Sequence, residues 1–281
     1  MELDGLRATL GDLRLGETDT AGVTWHLQSL EGWDGAEVRG QMTERQADHG
    51  ASVGPVYYGA RPITLAGTVV APDRAALDLA LDRLRAAVPL TDTALTVWEA
   101  LPKMAWVRAS GRMLAQYVSD RAATYSVMVT AADPRRYGLE VRTESARLPQ
   151  TTGGIAPPLT PPLTIAAAAV SGTITAVNEG SFETRPVLIL AGPCARPVVT
   201  VTHPDGTTDR LAYALDLDAG EVLTIDAAAH TVVLNGTVSR RRFLTGPWPV
   251  LPPGEPVAIS WTANTYSPDA QLTVSWRPAW T

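Results

Sequence analysis

The pattern G-x-S-x-G at residues 50–54 would make Ser52 a nucleophile. In a hydrolase, such a serine lies on a sharp turn between a buried strand and a helix. Here the flanking residues are polar and mixed, no helical pattern follows, and strands and helices do not alternate along the chain. His203, His230 and Asp226 lie downstream as partners in principle. The sequence favours a flexible loop around Ser52, and we expect no catalytic residue and no enzymatic activity.

Metal ligation has equally weak support in the sequence. No two of the four histidines are two or four residues apart, the spacings that preset a metal-binding pair. Residues 216–221 are similar to the start of a calcium loop, but its fifth and twelfth positions are Gly220 and Ala227, which lack a side-chain oxygen. A turn between strands is the favoured interpretation, with weak calcium binding as the alternative. We expect no bound metal ion and no cofactor.

The single cysteine and the eight tryptophans are the remaining residues with chemical potential. Cys194 alone cannot form an intrachain disulfide or a multi-cysteine zinc site, so we predict a small core residue. Trp261 and Trp276 lie within strand patterns and are predicted to be buried. Trp33, between two glycines, and Trp280, at the end of the sequence, are better candidates for exposed contacts.

The chain is acidic, with 29 acidic and 23 basic residues and a net charge of -6. This balance disfavours sequence-independent DNA binding, which needs cations to displace counterions. Lys103 is the only lysine, and the other 22 basic residues are arginine. The skew indicates a GC-rich genome more than a phosphate-binding surface, which is the functional alternative. The only basic cluster, at 240–242, is interpreted as a solvated strand edge or, alternatively, as a contact for an anionic partner.

The elements predicted around these residues are mainly β. One amphipathic helix is predicted at about 73–88, with Asp73 as its N-cap and Leu77, Ala80, Leu81, Leu84 and Val88 on one face. Alternating patterns predict the strands of the first half at 23–30, 63–69, 95–98, 106–114 and 125–131.

A change in composition divides the chain. Residues 149–162 are rich in proline and glycine and are predicted to form a linker between an N-terminal domain at 1–148 and a C-terminal domain at 163–281. The second domain shows short strands separated by glycine and proline turns, which predicts an all-β sandwich. Its strands are predicted at 163–170, 172–178, 187–190, 198–203, 209–214, 222–225, 232–234, 240–244, 257–261 and 272–276. We find no signal peptide pattern and no apolar run long enough to anchor the chain in a membrane.

Taken in order, several short motifs resemble those of one protein family. Residues 58–69 resemble the strand G-x-R-x-I-x-L-x-G-x-V, and residues 125–137 resemble a strand that ends in A-x-D-P-x-x-Y. Further matches lie at 178–192, 219–226, 232–236, 251–254 and 275–280. The family is that of the distal tail proteins of long-tailed, siphovirus-type bacteriophages, also called minor tail proteins. The resemblance runs from about Gly59 to the end of the sequence.

The resemblance implies a structural role without catalytic residues. It implies a homohexameric ring at the tip of the phage tail, made by the N-terminal domains, with galectin-like C-terminal sandwiches outside. The ring would join the tail tube protein to a tail-associated hub protein, the baseplate and the receptor-binding proteins. It implies a place in the virion after assembly in the host cytoplasm. The acidic net charge predicts that DNA passes through such a ring without specific binding. The alternative is a module that binds a cell-surface carbohydrate, a host glycan, through the C-terminal sandwich.

Overall fold

The structure, a computed structural model that describes residues 5–152, 168–170 and 172–281, is built mainly from antiparallel strands. The chain folds into two units, Met1–Leu139 with Thr281 and Glu140–Trp280, and each unit has its own buried apolar core. The mainly β fold predicted from the sequence is confirmed. Within the described ranges, no helix has the length and hydropathy needed to cross a membrane.

Among its described residues, the first unit consists of an antiparallel sheet, one helix that packs into its core and a separate hairpin. The principal strand order is β2-β1-β7-β8-β10-β6-β3, with β9 paired to β10 and β11 to β8. The strands are β1 (Ala8–Leu10), β2 (Leu13–Leu15), β3 (Thr24–Glu31), β4 (Val38–Glu44), β5 (Ala51–Tyr58), β6 (Arg61–Val70), β7 (Thr93–Val97), β8 (Lys103–Ala109), β9 (Leu114–Ser119), β10 (Ala122–Ala131) and β11 (Arg136–Gly138).

The predicted helix is confirmed as α1 (Arg74–Ala86). The Asp73 carboxylate accepts a hydrogen bond from the Ala76 N–H at 2.8 Å, which satisfies one of the free donors of the first turn. Four residues of the predicted apolar face are fully buried in the core of the first unit, namely Leu77, Ala80, Leu81 and Leu84.

The centre of the first unit is the ladder between β6 and β10, which pairs all ten residues of each strand. Ile63, Leu65, Val127 and Val129 face the core from alternating positions. One predicted strand, 106–114, is wrong: β8 ends at Ala109, and β9 begins at Leu114 as a separate strand. The Ser110 N–H donates to the Met128 carbonyl at 3.2 Å, so the chain is held to β10 where it leaves β8.

The second unit is the predicted sandwich of two antiparallel sheets, ordered β12-β24-β16-β19-β20-β21 and β15-β23-β17-β18-β22. Inward side chains of both sheets, such as Leu188, Val199 and Trp261, form one core. The strands are β12 (Arg142–Arg147), β13 (Gln150–Thr152), β14 (Ala168–Val170), β15 (Thr173–Val177), β16 (Val187–Ala191), β17 (Val198–Thr202), β18 (Thr208–Tyr213), β19 (Val222–Asp226), β20 (Thr231–Leu234), β21 (Val238–Ser239), β22 (Leu244–Thr245), β23 (Pro256–Thr262), β24 (Gln271–Trp276) and β25 (Ala279–Trp280).

Two local predictions in this region meet a different structure. Residues 240–244 do not form a strand: Arg241–Phe243 is a 3-10 turn, and β22 starts only at Leu244. The first unit ends at Leu139 rather than at 148, because β12 pairs along its whole length with β24 of the second unit. Most of the predicted linker at 149–162, and most of the strand predicted at 163–170, lies outside the described residues.

Candidate assembly surface

A β-hairpin that stands apart from the main sheet is the most conspicuous surface feature of the first unit. Strands β4 and β5 pair with each other and, among the described residues, with no other strand. The register runs from Val38 opposite Tyr58 to Glu44 opposite Ala51, with an irregularity after Gly40. The turn closes with a hydrogen bond from the Arg45 N–H to the Gly50 carbonyl at 3.1 Å. Gly50 has φ +91°, a left-handed conformation that glycine adopts without strain.

The hairpin has one apolar face. Side chains that lie opposite each other in the register share a face, and so do residues two apart on a strand. Val38, Met42, Val53 and Val56 therefore point the same way, and their exposed fractions lie between 50% and 71%. Gly40 lies among them, since a Cβ there would come within 3.0 Å of Val56 Cγ2. The opposite face is mixed: it carries the polar side chains of Gln41, Thr43 and Ser52 together with the exposed ring of Tyr57.

An exposed apolar face on a two-stranded ribbon needs a partner. An isolated hairpin is marginally stable in water, because it buries little apolar surface. A contiguous apolar patch of this kind on a protein surface marks an interaction site. The hairpin is therefore a candidate assembly arm, defined here as residues 38–58.

The base of the assembly arm is fixed to the core of the first unit by Arg61. Its side chain is fully buried, with 0% exposure, at the start of β6. Nη1 donates to the carbonyls of Gly32 at 3.2 Å and Trp33 at 2.6 Å, and Nε donates to the carbonyl of Pro134 at 2.9 Å. Burial, with the nearby charge of Arg136, lowers the pKa of Arg61.

A second hydrogen-bonded group supports the segment that precedes the assembly arm. The buried Trp33 donates its indole N–H to a carboxylate oxygen of Glu99, whose other oxygen accepts from Lys103 Nζ at 2.7 Å. Burial of Glu99 opposes ionisation, but the hydrogen bonds from Lys103 and Trp33 outweigh it and lower the pKa of Glu99. The segment before β4 is thus anchored by a buried ring and a charge pair.

A second surface with exposed apolar side chains lies on the outer side of the sheet of the first unit. Trp106 on β8, Leu114 on β9 and Met128 on β10 are each about half exposed, on strands that pair with β10 or belong to it. We call these three residues the outer sheet patch. Arg108 and Thr130 lie on the same face of the sheet between Trp106 and Met128, so this second surface is mixed. The first unit therefore exposes apolar side chains in two places, the assembly arm and the outer side of the sheet.

The serine of the G-x-S-x-G pattern lies on the assembly arm. Ser52 is an exposed residue of β5 opposite Thr43, so the flexible loop predicted there is wrong. Ser52 also lacks the geometry of a nucleophile. A catalytic serine of this pattern is exposed by a turn between a strand and a helix, whereas Ser52 lies within a strand of a hairpin.

The other predicted candidates are dispersed. His203 Nε2 lies 2.9 Å from Asp209 Oδ2 at a turn, and the Asp216 carboxylate accepts from the Arg196 N–H at 3.1 Å next to the turn at Asp218–Gly220. No group of three or more metal-ligating side chains occurs among the described residues. Trp261 and Trp276 are buried as predicted. Trp33 is buried, contrary to the predicted exposed contact, and Trp280 is half-buried.

Cys194 is a core residue, as predicted, with 4% exposure. Burial, with the nearby carboxylate of Asp216, raises the pKa of its thiol from 9.0 to about 11. At pH 8 the fraction of Cys194 present as the reactive thiolate is therefore about 100-fold smaller than for a free cysteine with a pKa of 9.0. We expect a thiol-directed chromogenic reagent to leave the folded chain unmodified for hours and to modify one thiol per chain at once in denaturant. Rapid labelling of the folded chain would contradict this burial.

The described chain thus combines two β-rich units, the first of which carries one α-helix and a separate hairpin. This fold is similar to those of solved hub and baseplate proteins of bacteriophages. The SPP1 Dit (gp 19.1) protein, described as a paradigm of the hub adsorption apparatus of phages that infect Gram-positive bacteria, is similar with a TM-score of 0.66 and 11% sequence identity. The match covers 99% of this chain and 100% of that chain.

Two structures of the phage p2 baseplate in its activated conformation are similar as well. The chain matches the one solved with Ca at a TM-score of 0.51 and 9% identity, covering 96% of this chain and 98% of that chain. For the one solved with Sr the TM-score is 0.52 at 8% identity, with 96% and 97% covered. No family model and no curated protein matches the sequence. The resemblance to phage distal tail proteins is confirmed at the level of the fold.

Proposed function

We propose that this chain is a structural protein of a phage tail tip. The observation that carries the proposal is the match to the SPP1 hub protein over 99% of this chain and 100% of that one, because it extends through both units. The proposed ring contains six copies and joins the tail tube to the baseplate, the tail-associated hub protein and the receptor-binding proteins. The proposal places the chain at the tail tip of the virion, and the tail tip is assembled in the host cytoplasm. Catalysis has no part in this role.

The two surfaces of the first unit that expose apolar side chains support a ring. When a patch on one copy binds a different patch on the next, the contact is heterologous, and a ring forms if the rotation closes. We propose that the assembly arm of one copy covers the outer sheet patch of its neighbour, with Val53 and Met42 packed against Trp106 and Met128. The net charge of -6 supports a lumen through which DNA passes without binding.

The mass of the assembled particle tests the ring. We expect multi-angle light scattering of the purified chain to give a discrete species with six times the monomer mass of 29.8 kDa. The proposal fails if the chain stays monomeric at all concentrations, both alone and with the tail tube protein added. Negative-stain images of the assembled species should show a closed ring with a central opening.

The carbohydrate alternative for the second unit has little support, because Tyr266 is the one large aromatic side chain that is exposed in the described part of that unit. Sugar recognition by stacking requires an exposed aromatic face. In the described part of the second unit, the tryptophans are buried or half-buried, and Trp261 and Trp276 belong to the core. The chain therefore offers less support for a sugar-stacking module than for a structural role.

A further inference from the structure

A cationic cluster forms on the second unit around two aromatic rings. It combines the 3-10 turn after β21 with side chains from three other segments. We call it the arginine cluster, and its members are Arg185, His230, Arg240, Arg241 and Arg242, with Trp248 and Phe243 as the rings.

Direct contacts link these side chains. Arg185 Nη1 donates to His230 Nε2 at 2.9 Å, which requires that nitrogen to be unprotonated. The His230 ring stacks on Trp248 with the centroids 4.8 Å apart and the planes 9° from parallel. The Arg241 guanidinium lies 4.8 Å from the Trp248 centroid, and that of Arg242 lies 4.5 Å from the Phe243 centroid. Trp248 thus holds the guanidinium of Arg241, which also donates to the Leu244 carbonyl at 3.1 Å, and Phe243 holds that of Arg242.

The arginine cluster lacks its own counter-charges. Among the described residues, Arg185, Arg240, Arg241 and Arg242 form no ion pair with a carboxylate, whereas Arg108 and Arg142 elsewhere are paired. The Nε atoms of Arg185 and Arg240 are buried and have no acceptor in the described part of the chain. In a chain with an excess of acidic residues, four arginines without carboxylates indicate that the negative charge comes from outside.

We propose that the arginine cluster binds a polymer that carries repeating phosphate groups and no nucleobases. Guanidinium groups pair with phosphate oxygens through two parallel hydrogen bonds, and several arginines in one place match a ligand with several charges. Arg241, Arg242 and His230 are exposed, so a chain of phosphates has access to them. The inference goes beyond the ring role, and it does not depend on the oligomeric state.

The rings favour this ligand over an acidic peptide or a nucleic acid. A peptide interface needs apolar anchors as well as charges, and single-stranded nucleic acid needs aromatic faces on which bases stack. Trp248 and Phe243 are half-buried and already contact His230 and the arginines of the chain itself. The cluster therefore presents charge outward, without a free aromatic platform.

Binding of fluorescently labelled linear polyphosphate to the full-length chain tests the proposal. We expect saturable binding that weakens steeply with salt, since ionic contacts are screened. The double variant Arg241→Gln/Arg242→Gln should weaken binding about 10-fold, because two exposed charged contacts are lost. The matched control, Arg142→Gln/Arg147→Gln, removes two exposed arginines from β12 of the same unit and should change affinity less than about twofold.

Three further ligands make the outcome decisive. Neutral dextran, polyglutamate and single-stranded DNA of similar length are measured beside polyphosphate. Weaker binding of all three supports the proposal. Equal or tighter binding of polyglutamate assigns the cluster to an acidic peptide, and tighter binding of DNA assigns it to a nucleic acid; either result overturns the proposal. It is equally overturned if polyphosphate does not bind, or if the cluster variant binds as well as the control.

Discussion

A chain that carries Met42→Glu and Val56→Glu is expected to remain folded and to lose the ring. Both side chains lie on the exposed apolar face of the assembly arm, so the substitutions cost the monomer little. In the assembled state they would bury two carboxylates without partners, at about 4 kcal/mol per interface, or roughly a thousandfold in the dissociation constant. Light scattering should then show a single species of 29.8 kDa.

The matched control places two glutamates on the other face of the same hairpin. Gln41→Glu/Ser52→Glu adds the same charge to the same strands and should assemble like the unaltered chain. If both double variants remain hexameric, the apolar face of the arm does not contribute to the ring contact.

Mixing variants distinguishes a heterologous contact from a symmetric one. Trp106→Glu is expected to inactivate the outer sheet patch and leave the arm intact. When it is mixed with Met42→Glu/Val56→Glu, the intact arm of the first variant can bind the intact outer sheet patch of the second. The two surfaces that remain both carry glutamate and are inactive. The mixture should therefore give dimers of twice 29.8 kDa, whereas each variant alone stays monomeric.

The substitution Arg61→Met is expected to destabilise the first unit more than any surface change. It leaves the carbonyls of Gly32, Trp33 and Pro134 without a side-chain donor in a buried or partly buried environment. Losing a buried charged group and its hydrogen bonds costs about 3–5 kcal/mol of unfolding free energy. Urea unfolding, with hydrogen exchange of peptides from β6 and β10 as the readout, should show this loss of stability in the first unit. The stability of the second unit should be unchanged.

Two comparisons isolate the role of the buried guanidinium. Arg39→Met removes an exposed arginine from the assembly arm and should change stability by less than about 0.5 kcal/mol. Arg61→Lys keeps the charge but lacks the planar fork that reaches three carbonyls, so it should recover only part of the loss. If Arg61→Met unfolds at the same urea concentration as the unaltered chain, the three hydrogen bonds contribute nothing to stability.

The periodicity of apolar residues in the sequence is sufficient to predict a helix or strand where one side of that element is buried. The helix at Asp73 and the strands around Val127 and Ile259 were predictable, because their apolar residues repeat at the spacing of a half-buried helix or strand. Arg61 could be placed in a strand by its motif, but its burial could not be predicted, since an arginine is seldom fully buried.

The assembly arm escaped prediction for a physical reason. Neither of its faces is buried within its own unit, so no core imposes alternation on both strands. The irregularity after Gly40 also shifts the pattern: Val56 and Val53 share a face although they are three residues apart. The available signal was the alternation Val38, Gly40, Met42, which a search for long buried strands ignores. Three arginines of the arginine cluster, at 240–242, could be recognised in the sequence as a basic run. Arg185, His230 and Trp248 could not be added to them, because these residues meet the 3-10 turn only in three dimensions.

The open edges of the hairpin also bear on how the protein avoids aggregation. In the described residues, the outer edges of β4 and β5 pair with nothing, so their free backbone groups are a template for further strands. Such edges, joined to an apolar face, favour uncontrolled fibre growth between copies before a ring can close. Arg39, Glu44 and Arg45 place charges along the ribbon, and charges of this kind act as gatekeepers. Neutralising these three residues should leave the fold intact while shifting the concentrated chain from discrete particles to insoluble fibres.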